Sequence, residues 1–273
     1  MYVGGDILDG YWLSGEVFKK LPIDAIFAGD RSAGIGFCED FIRVGNTSLY
    51  DGLIRLQTAT GTAIQIASEA NHSGILRLTS AADNDEAVIQ LGNGLDVGPF
   101  RLQKDFAFEC CVRLNAAAIV AGDHGFFAGM WTGGASGGAI ANLMFTAGDA
   151  IYATANLVGF QHLVAESTAL DAVYQASGQT KVDGAVDTDL DTVQTMVAGT
   201  WYKLGYRFSM MAPRRLEWYV DGVKVCEIGE TAIAAAGFPD ADTAFIQPTI
   251  GMRGVDATTA YLDIDWMACA QLV

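Results

Sequence analysis

Apolar and polar residues alternate with a period of two along several stretches of this chain. "DFAFECCVRL" (105–114) puts Phe106, Phe108, Cys110, Val112 and Leu114 on one face, with Glu109 and Arg113 on the other. "WYKLGYRF" (201–208) turns Tyr202, Leu204, Tyr206 and Phe208 one way, and Lys203 and Arg207 the other. "YLDIDWMACA" (261–270) groups Leu262, Ile264 and Trp266 against Asp263 and Asp265. Alternation of this kind predicts half-buried strands. "GILRLTS", "LMFTA", "LVGFQHL" and "AFIQPTIGMRG" predict more, separated by Gly- and Asp-rich turns. No long amphipathic helix is predicted, and "AIAAAGF" (232–238) reads as a short turn. Many short strands at this spacing predict an all-β fold, a two-sheet antiparallel jelly-roll sandwich.

The sharpest local signal is "LEWYVDGVKV" (216–225). Asp-Gly between two alternating runs predicts a two-residue type I′ hairpin, because that turn needs φ > 0 at both central positions. A regular ladder pairs Val220 with Val223, Tyr219 with Lys224 and Trp218 with Val225. It puts Trp218, Val220, Val223 and Val225 on the core face, and Glu217, Tyr219, Lys224 and Cys226 on the other.

Two regions leave the pattern. Residues 1–36 are Gly-rich and aromatic and do not alternate, which predicts an N-terminal arm before a sandwich domain at 37–273. Arms of this kind reach onto neighbouring subunits. "WTGGASGGA" (131–139) reads as a flexible loop by composition.

Composition narrows the function. The chain has 273 residues, 51% of them hydrophobic and only 18% charged, so it can bury a large core and still hold apolar surface for subunit contacts. The net charge of −16 repels nucleic acid and anionic membranes, so neither is an expected partner. No apolar run reaches the length of a membrane helix. The five cysteines are an odd number without a CxxC pair. Cys110 and Cys111 are adjacent in a strand, so they point to opposite faces and do not bridge. Free, mostly buried thiols in a reducing compartment are expected. "MYVGGDILDG" lacks the pattern of a signal peptide, which fits synthesis and assembly in a cytoplasm.

Candidate chemistry is sparse. Asp263 and Asp265 would stand about 7 Å apart on one strand face. They faintly resemble the acidic strand of jelly-roll glucanases, but Tyr261 and Met267 occupy the positions where that motif has its two Glu. A solvent-facing acidic strand is the plainer reading. Ser136 in "GASGG" has the G-x-S-x-G spacing without the strand and helix that give it meaning. Asp183, Asp187, Asp189 and Asp191 in "DGAVDTDLD" resemble the start of a calcium loop, yet Thr192 stands where its Gly is required. His72, His124 and His162 are isolated. Trp131 and Trp201 are the tryptophans best placed to stack on a sugar, with core packing or subunit contact as the competing reading. No catalytic, cofactor-binding or metal residue is assigned.

The order of segments carries more than any one of them. "FCEDFI" (37–42), "GILRLTSAADNDEAVIQLG" (74–92), "FRLQKDFAFECCVRLN" (100–115), "GTWYKLGYRF" (199–208), "LEWYVDGVKV" and "YLDIDWMACAQL" (261–272) follow one another. The series resembles the concanavalin A-like (laminin G-like) jelly-roll virion proteins of tailed bacteriophages, over roughly residues 37–273. The resemblance implies a non-enzymatic virion structural protein of the capsid decoration or cement type, located on the capsid surface. Its implied partners are the major capsid protein and copies of itself, in a homo-oligomer for which symmetry analogy favours a trimer. The alternative is a glycan-binding tail or host-attachment module.

Overall fold

The computed structural model describes residues 13–19, 21–39, 41, 53–57, 63–69, 72–82, 85–91, 100–115, 118, 124–132, 155–163, 168–184, 186–240, 245–254 and 258–273. Two short helices come first, α1 (Gly15–Phe18) and α2 (Ile23–Phe27). The strands β1 (Gly34–Glu39), β2 (Leu53–Gln57), β3 (Ala63–Glu69), β4 (His72–Ser80), β5 (Glu86–Leu91), β6 (Phe100–Arg101) and β7 (Phe106–Leu114) follow. Next are β8 (His124–Trp131), β9 (Leu157–His162), β10 (Ala169–Gln175), β11 (Gln194–Thr195), β12 (Trp201–Ser209), β13 (Arg215–Val220) and β14 (Val223–Ile228). Helix α3 (Glu230–Ile233) precedes β15 (Phe245–Gly254) and β16 (Ala260–Leu272).

The strands form two eight-stranded sheets. Sheet 1 runs β14-β13-β12-β7-β16-β4-β3, and β1 also pairs with β16. Sheet 2 runs β11-β10-β9-β8-β15-β5-β2, and β6 pairs with β15. Every strand pairing is antiparallel. The fold is the all-β jelly-roll sandwich expected from the alternation. Among the described residues no helix is long and apolar enough to cross a membrane.

The main core lies between the sheets. β7 contributes Phe106, Phe108, Cys110, Val112 and Leu114, and β12 contributes Tyr202, Leu204, Tyr206 and Phe208, all buried as their alternation requires. Phe108 stacks on Tyr206 with ring centroids 5.4 Å apart. Trp218 crosses the core, and its indole Nε1 donates to Gly159 O on the opposite sheet at 3.0 Å. This bond gives the buried indole N–H the partner it needs.

Two β-bulges correct the expected faces. In β16 the register slips between Ile264 and Trp266, so Asp265 is the extra residue. Leu262 and Ile264 still face the core, but beyond the bulge Met267 and Cys269 take that side. Trp266 moves to the outer face with Ala268 and Ala270. In the hairpin the slip lies between Trp218 and Tyr219, so Trp218 pairs with Cys226 and Val225 is the extra residue. Cys226 therefore joins the core, while Val223 at the turn is 66% exposed. The turn itself is as expected: Asp221 has φ 50° and Gly222 φ 77°. One inserted residue reverses every face beyond it, because the strand period is two.

A second apolar cluster sits on the outer face of sheet 1. Leu13, Val17, Phe18, Leu21 and Ile26 pack there against Ala107, Cys111, Tyr219, Trp266, Ala268 and Ala270. The described part of the region expected as an arm thus lies on the chain's own sheet, and the boundary expected at residue 36 falls inside β1. Close approach explains two of its glycines. A Cβ on Gly36 would lie 2.6 Å from Ile26 Cγ2, and one on Gly205 would lie 2.9 Å from Val17 Cγ2.

The thiols match expectation: Cys110, Cys111, Cys226 and Cys269 are buried and Cys38 is exposed, and none of the five is in a disulfide. Cys110 faces the main core and Cys111 the outer cluster.

Candidate functional site

The outer face of sheet 2 carries a polar row. Strand alternation turns Ala87, Ile89, Ile246, Ile250 and Met252 toward the core. It turns Glu86, Gln90, Gln247, Thr249 and Arg253 the other way, with Gln161, Asp171 and Gln175 continuing the row on β9 and β10. All of these side chains are buried. Buried polar groups at this density are unusual on a sheet face and need hydrogen-bond partners.

Most of the row is partnered. Gln90 Nε2 donates to Thr249 Oγ1 at 2.9 Å and more weakly to Trp131 O at 3.4 Å. Thr249 Oγ1 donates in turn to Gln247 O at 3.0 Å. This chain of donors fixes the Gln90 amide, so its Oε1 is the atom left without a partner. Trp131 Nε1, 3% exposed at the residue level, has none either. Glu86 and Arg253 occupy facing positions of β5 and β15, which sets opposite charges side by side. Farther along, Gln161 Nε2 donates to Asp183 Oδ2 at 3.0 Å, and Lys181 Nζ meets the same carboxylate at 2.7 Å. Asp171 Oδ1 accepts from Thr192 N at 2.9 Å, and burial pushes its carboxyl above the usual range.

A glycine pair shapes the middle of this face. Gly129 and Gly159 are register partners on β8 and β9. A Cβ on Gly129 would lie 2.3 Å from Val158 O and 3.0 Å from Phe127 Cζ. A Cβ on Gly159 would also lie 3.0 Å from that ring atom. The Phe127 ring therefore fills the space that both glycines leave.

The acidic strand read from the sequence has another role. Asp263 is fully buried on the outer face of sheet 1. Arg77 grips it in bidentate fashion, Nε to Oδ1 at 2.6 Å and Nη2 to Oδ2 at 2.8 Å. Arg113 Nη2 reaches Oδ2 at 2.6 Å. Each guanidinium also lies over a ring: Arg77 over Tyr261 at 3.8 Å, and Arg113 over Trp201 at 4.6 Å. This corrects the solvent-facing reading: Asp263 is the centre of an ion-pair cluster. Asp265 is the extra residue at the bulge, and its charge helps to raise the thiol of Cys111 on the outer face.

The other candidates divide. Asp187 accepts from Asp189 N at 3.1 Å and so caps a short 3-10 turn at Thr188–Leu190. Among the described residues no group of three His, Cys, Asp or Glu side chains is placed to hold a metal ion. His162 Nδ1 bonds Ala169 O at 2.8 Å, and burial lowers its pKa. Ser136, Trp12 and the strand expected at "LMFTA" lie outside the described residues, as does the side chain of His72. Trp201 is half-buried under Arg113, and Trp131 lies in the polar row.

The sequence held a signal for that row. Glu86, Val88 and Gln90 alternate with core residues, as do Gln247, Thr249 and Arg253. Amides at period two on strands flag a polar sheet face, but each short run alone resembles a solvated strand.

No family model matches the chain, and no curated protein matches it. Solved structures do. A Shewanella oneidensis MR-1 protein of unknown function is 16% identical, over 92% of this chain and 94% of that one, with a TM-score of 0.54. The Emp47p carbohydrate recognition domain is 14% identical, over 86% of this chain and 94% of that one, with a TM-score of 0.53. The endo-β-1,4-glucuronan lyase of Trichoderma reesei is 13% identical, over 85% and 94%, with a TM-score of 0.55. At these identities the likeness is one of fold: the concanavalin A-like, lectin-type jelly roll.

Proposed function

We propose that the protein is a non-enzymatic structural protein of a bacteriophage virion. In this reading it decorates and stabilises the head by docking on the major capsid protein and on copies of itself. The observation that carries the reading is that three of the six exposed large apolar side chains among the described residues lie together. Met210, Met211 and Val273 are exposed at one end of sheet 1. Asp105 ties that end together: its Oδ1 accepts from Met210 N at 2.7 Å and its backbone O from Leu272 N at 3.0 Å. An apolar tip on a sandwich whose sheet faces are largely buried suits docking through an edge, and Met side chains adapt to a partner surface. The commitment of Asp263 to two arginines supports the non-enzymatic part, since a general acid must be free to exchange its proton.

Binding of purified protein to heads that lack it tests the proposal. Saturation near one copy per capsid subunit is expected, weakened at least about tenfold by Met210→Asp with Met211→Asp at unchanged melting temperature. Heads that take up no wild-type protein overturn it.

One observation favours a second reading, a glycan-binding tail or host-attachment module. Among the described residues, Gln90 Oε1 and Trp131 Nε1 are an acceptor and a donor without partners, on a row of amides and charges. Sugar hydroxyls satisfy such groups. The fold it shares with a carbohydrate recognition domain supports this reading by analogy alone. A glycan array tests it, with Trp131→Phe and Gln90→Leu expected to weaken any binding seen.

A further inference from the structure

Residues 13–19 and 21–27 are held on sheet 1 by apolar packing and by two polar ties. Arg207 Nη1 donates to Glu16 O at 2.7 Å, while the same guanidinium is anchored by Glu217 at 2.5 Å. Ser14 N donates to Glu109 Oε2 at 2.7 Å. The second tie is the unusual one. Glu109 sits at the centre of sheet 1, between Gly205 of β12 and Ala268 of β16, and is fully buried beneath α1. Its Oε1 has no partner. A carboxylate so placed has little beyond its Ser14 contacts to offset the loss of water.

We propose that residues 13–19 and 21–27 form a pH-controlled cover over the outer face of sheet 1, with Glu109 as its trigger. The seat accepts the neutral carboxyl and resists the charged one. When Glu109 ionises, leaving the seat returns the carboxylate to water. The cover then swings on the turn at 28–33, where Gly29 already takes φ 89°. Release uncovers Ala107, Cys111, Tyr219, Trp266, Ala268 and Ala270, apolar residues of three strands.

The groups around Glu109 set where this happens. Burial is the largest influence and raises the carboxyl to about 7. The Ser14 contacts and the Lys203 charge lower it, and the Asp221 charge of the hairpin turn raises it. Cys111 on β7 stays a neutral thiol, since burial pushes it up to about 12. Glu16 and Lys19 on α1 pair with each other at 3.3 Å, exposed, and Arg207 is committed to Glu217. Once released, Glu109 returns to the ordinary range. The seated form therefore binds the proton more tightly. Seating is firmest below the ordinary carboxylate pKa, weakens as pH rises from there to about 7, and is level above.

Hydrogen exchange on the full chain tests the cover. Protection of the Val17, Phe18 and Leu21 amides, corrected for intrinsic rates, is expected to fall roughly 50- to 100-fold between about pH 5 and about pH 8. Amides of β7 and β12 stay protected. Glu109→Gln keeps an acceptor for Ser14 N and is expected to hold protection level across that range. Val17→Asp is expected to be open throughout, which sets the released baseline. Wild-type protection that does not change with pH, or a Glu109→Gln profile that matches wild type, overturns the proposal.

Discussion

Trp218 and Gly159 join the two sheets through one hydrogen bond, from the indole Nε1 to the glycine carbonyl at 3.0 Å. The bond spans the core between β13 and β9, so it fixes the sheets in register as well as in distance. Trp218→Phe keeps most of the apolar volume and loses the donor, at an expected cost of about 1–2 kcal/mol. Trp218→Ala adds a cavity and is expected to cost about 3–5 kcal/mol. Denaturant unfolding measures both, and equal costs would mean that the bond, not packing, dominates.

Asp263 offers a sharper contrast. Asparagine in its place leaves Arg77 and Arg113 facing each other without the charge that holds them. Removing one member of a buried ion cluster is expected to cost about 3–5 kcal/mol, discounted to the lower end because Arg77 keeps a side-chain exposure of 26%. The loss is in stability, read as a drop in melting temperature. Saccharide turnover by the wild type that vanishes in Asp263→Asn would instead make this residue catalytic.

The glycine notch predicts a different failure. Gly129→Ala drives a methyl group against Val158 O and the Phe127 ring, neither of which has room to move. Overpacking of this kind is expected to cost about 1–3 kcal/mol. Pairing it with Phe127→Leu frees the space and recovers part of the loss, which a double-mutant comparison of unfolding midpoints would detect.

Acid should act through His162. Burial holds its imidazole below the ordinary histidine value, so the folded state resists taking up a proton that the unfolded chain accepts. Its contribution is complete above about 6.5 and fades as pH falls, by up to about 1.4 kcal/mol per unit. Glu109 acts in the opposite direction, so the two partly offset one another near neutrality. His162→Phe is expected to flatten the acid limb of a stability–pH curve, and Glu109→Gln the neutral one. An unchanged acid limb in His162→Phe would move the effect elsewhere.

The parts of this fold that were legible in the sequence are those with strict alternation. β7 and β12 face the core as their pattern requires, and Asp221-Gly222 makes the turn that its φ preferences demand. The bulges at Asp265 and Val225 were not legible, because an inserted residue carries no composition of its own and announces itself only by the register after it. Glu109 and Arg207 were read as outward-facing, which is correct, but outward did not mean solvated. Their burial depends on Leu13, Val17 and Leu21, of which only Val17 lies within the four-residue α1, so no helical period flags them. The polar row on sheet 2 escaped for a related reason. Its members come from strands far apart in sequence, and only the pairing of β5, β15 and β8 brings Gln90, Thr249 and Trp131 together.

Strand β16 joins β7 on one side, and β4 and then β1 on the other, along its 13 residues. It is central to sheet 1 and is made after every strand it pairs with. On the ribosome, β7 and β12 can find each other early, but β1 and the β3–β4 pair cannot join them until β16 emerges. A nascent chain thus carries half a sheet with an open apolar edge until β16 is made. Sheet 1 closes only through this one strand, so its loss would abolish the fold rather than trim it.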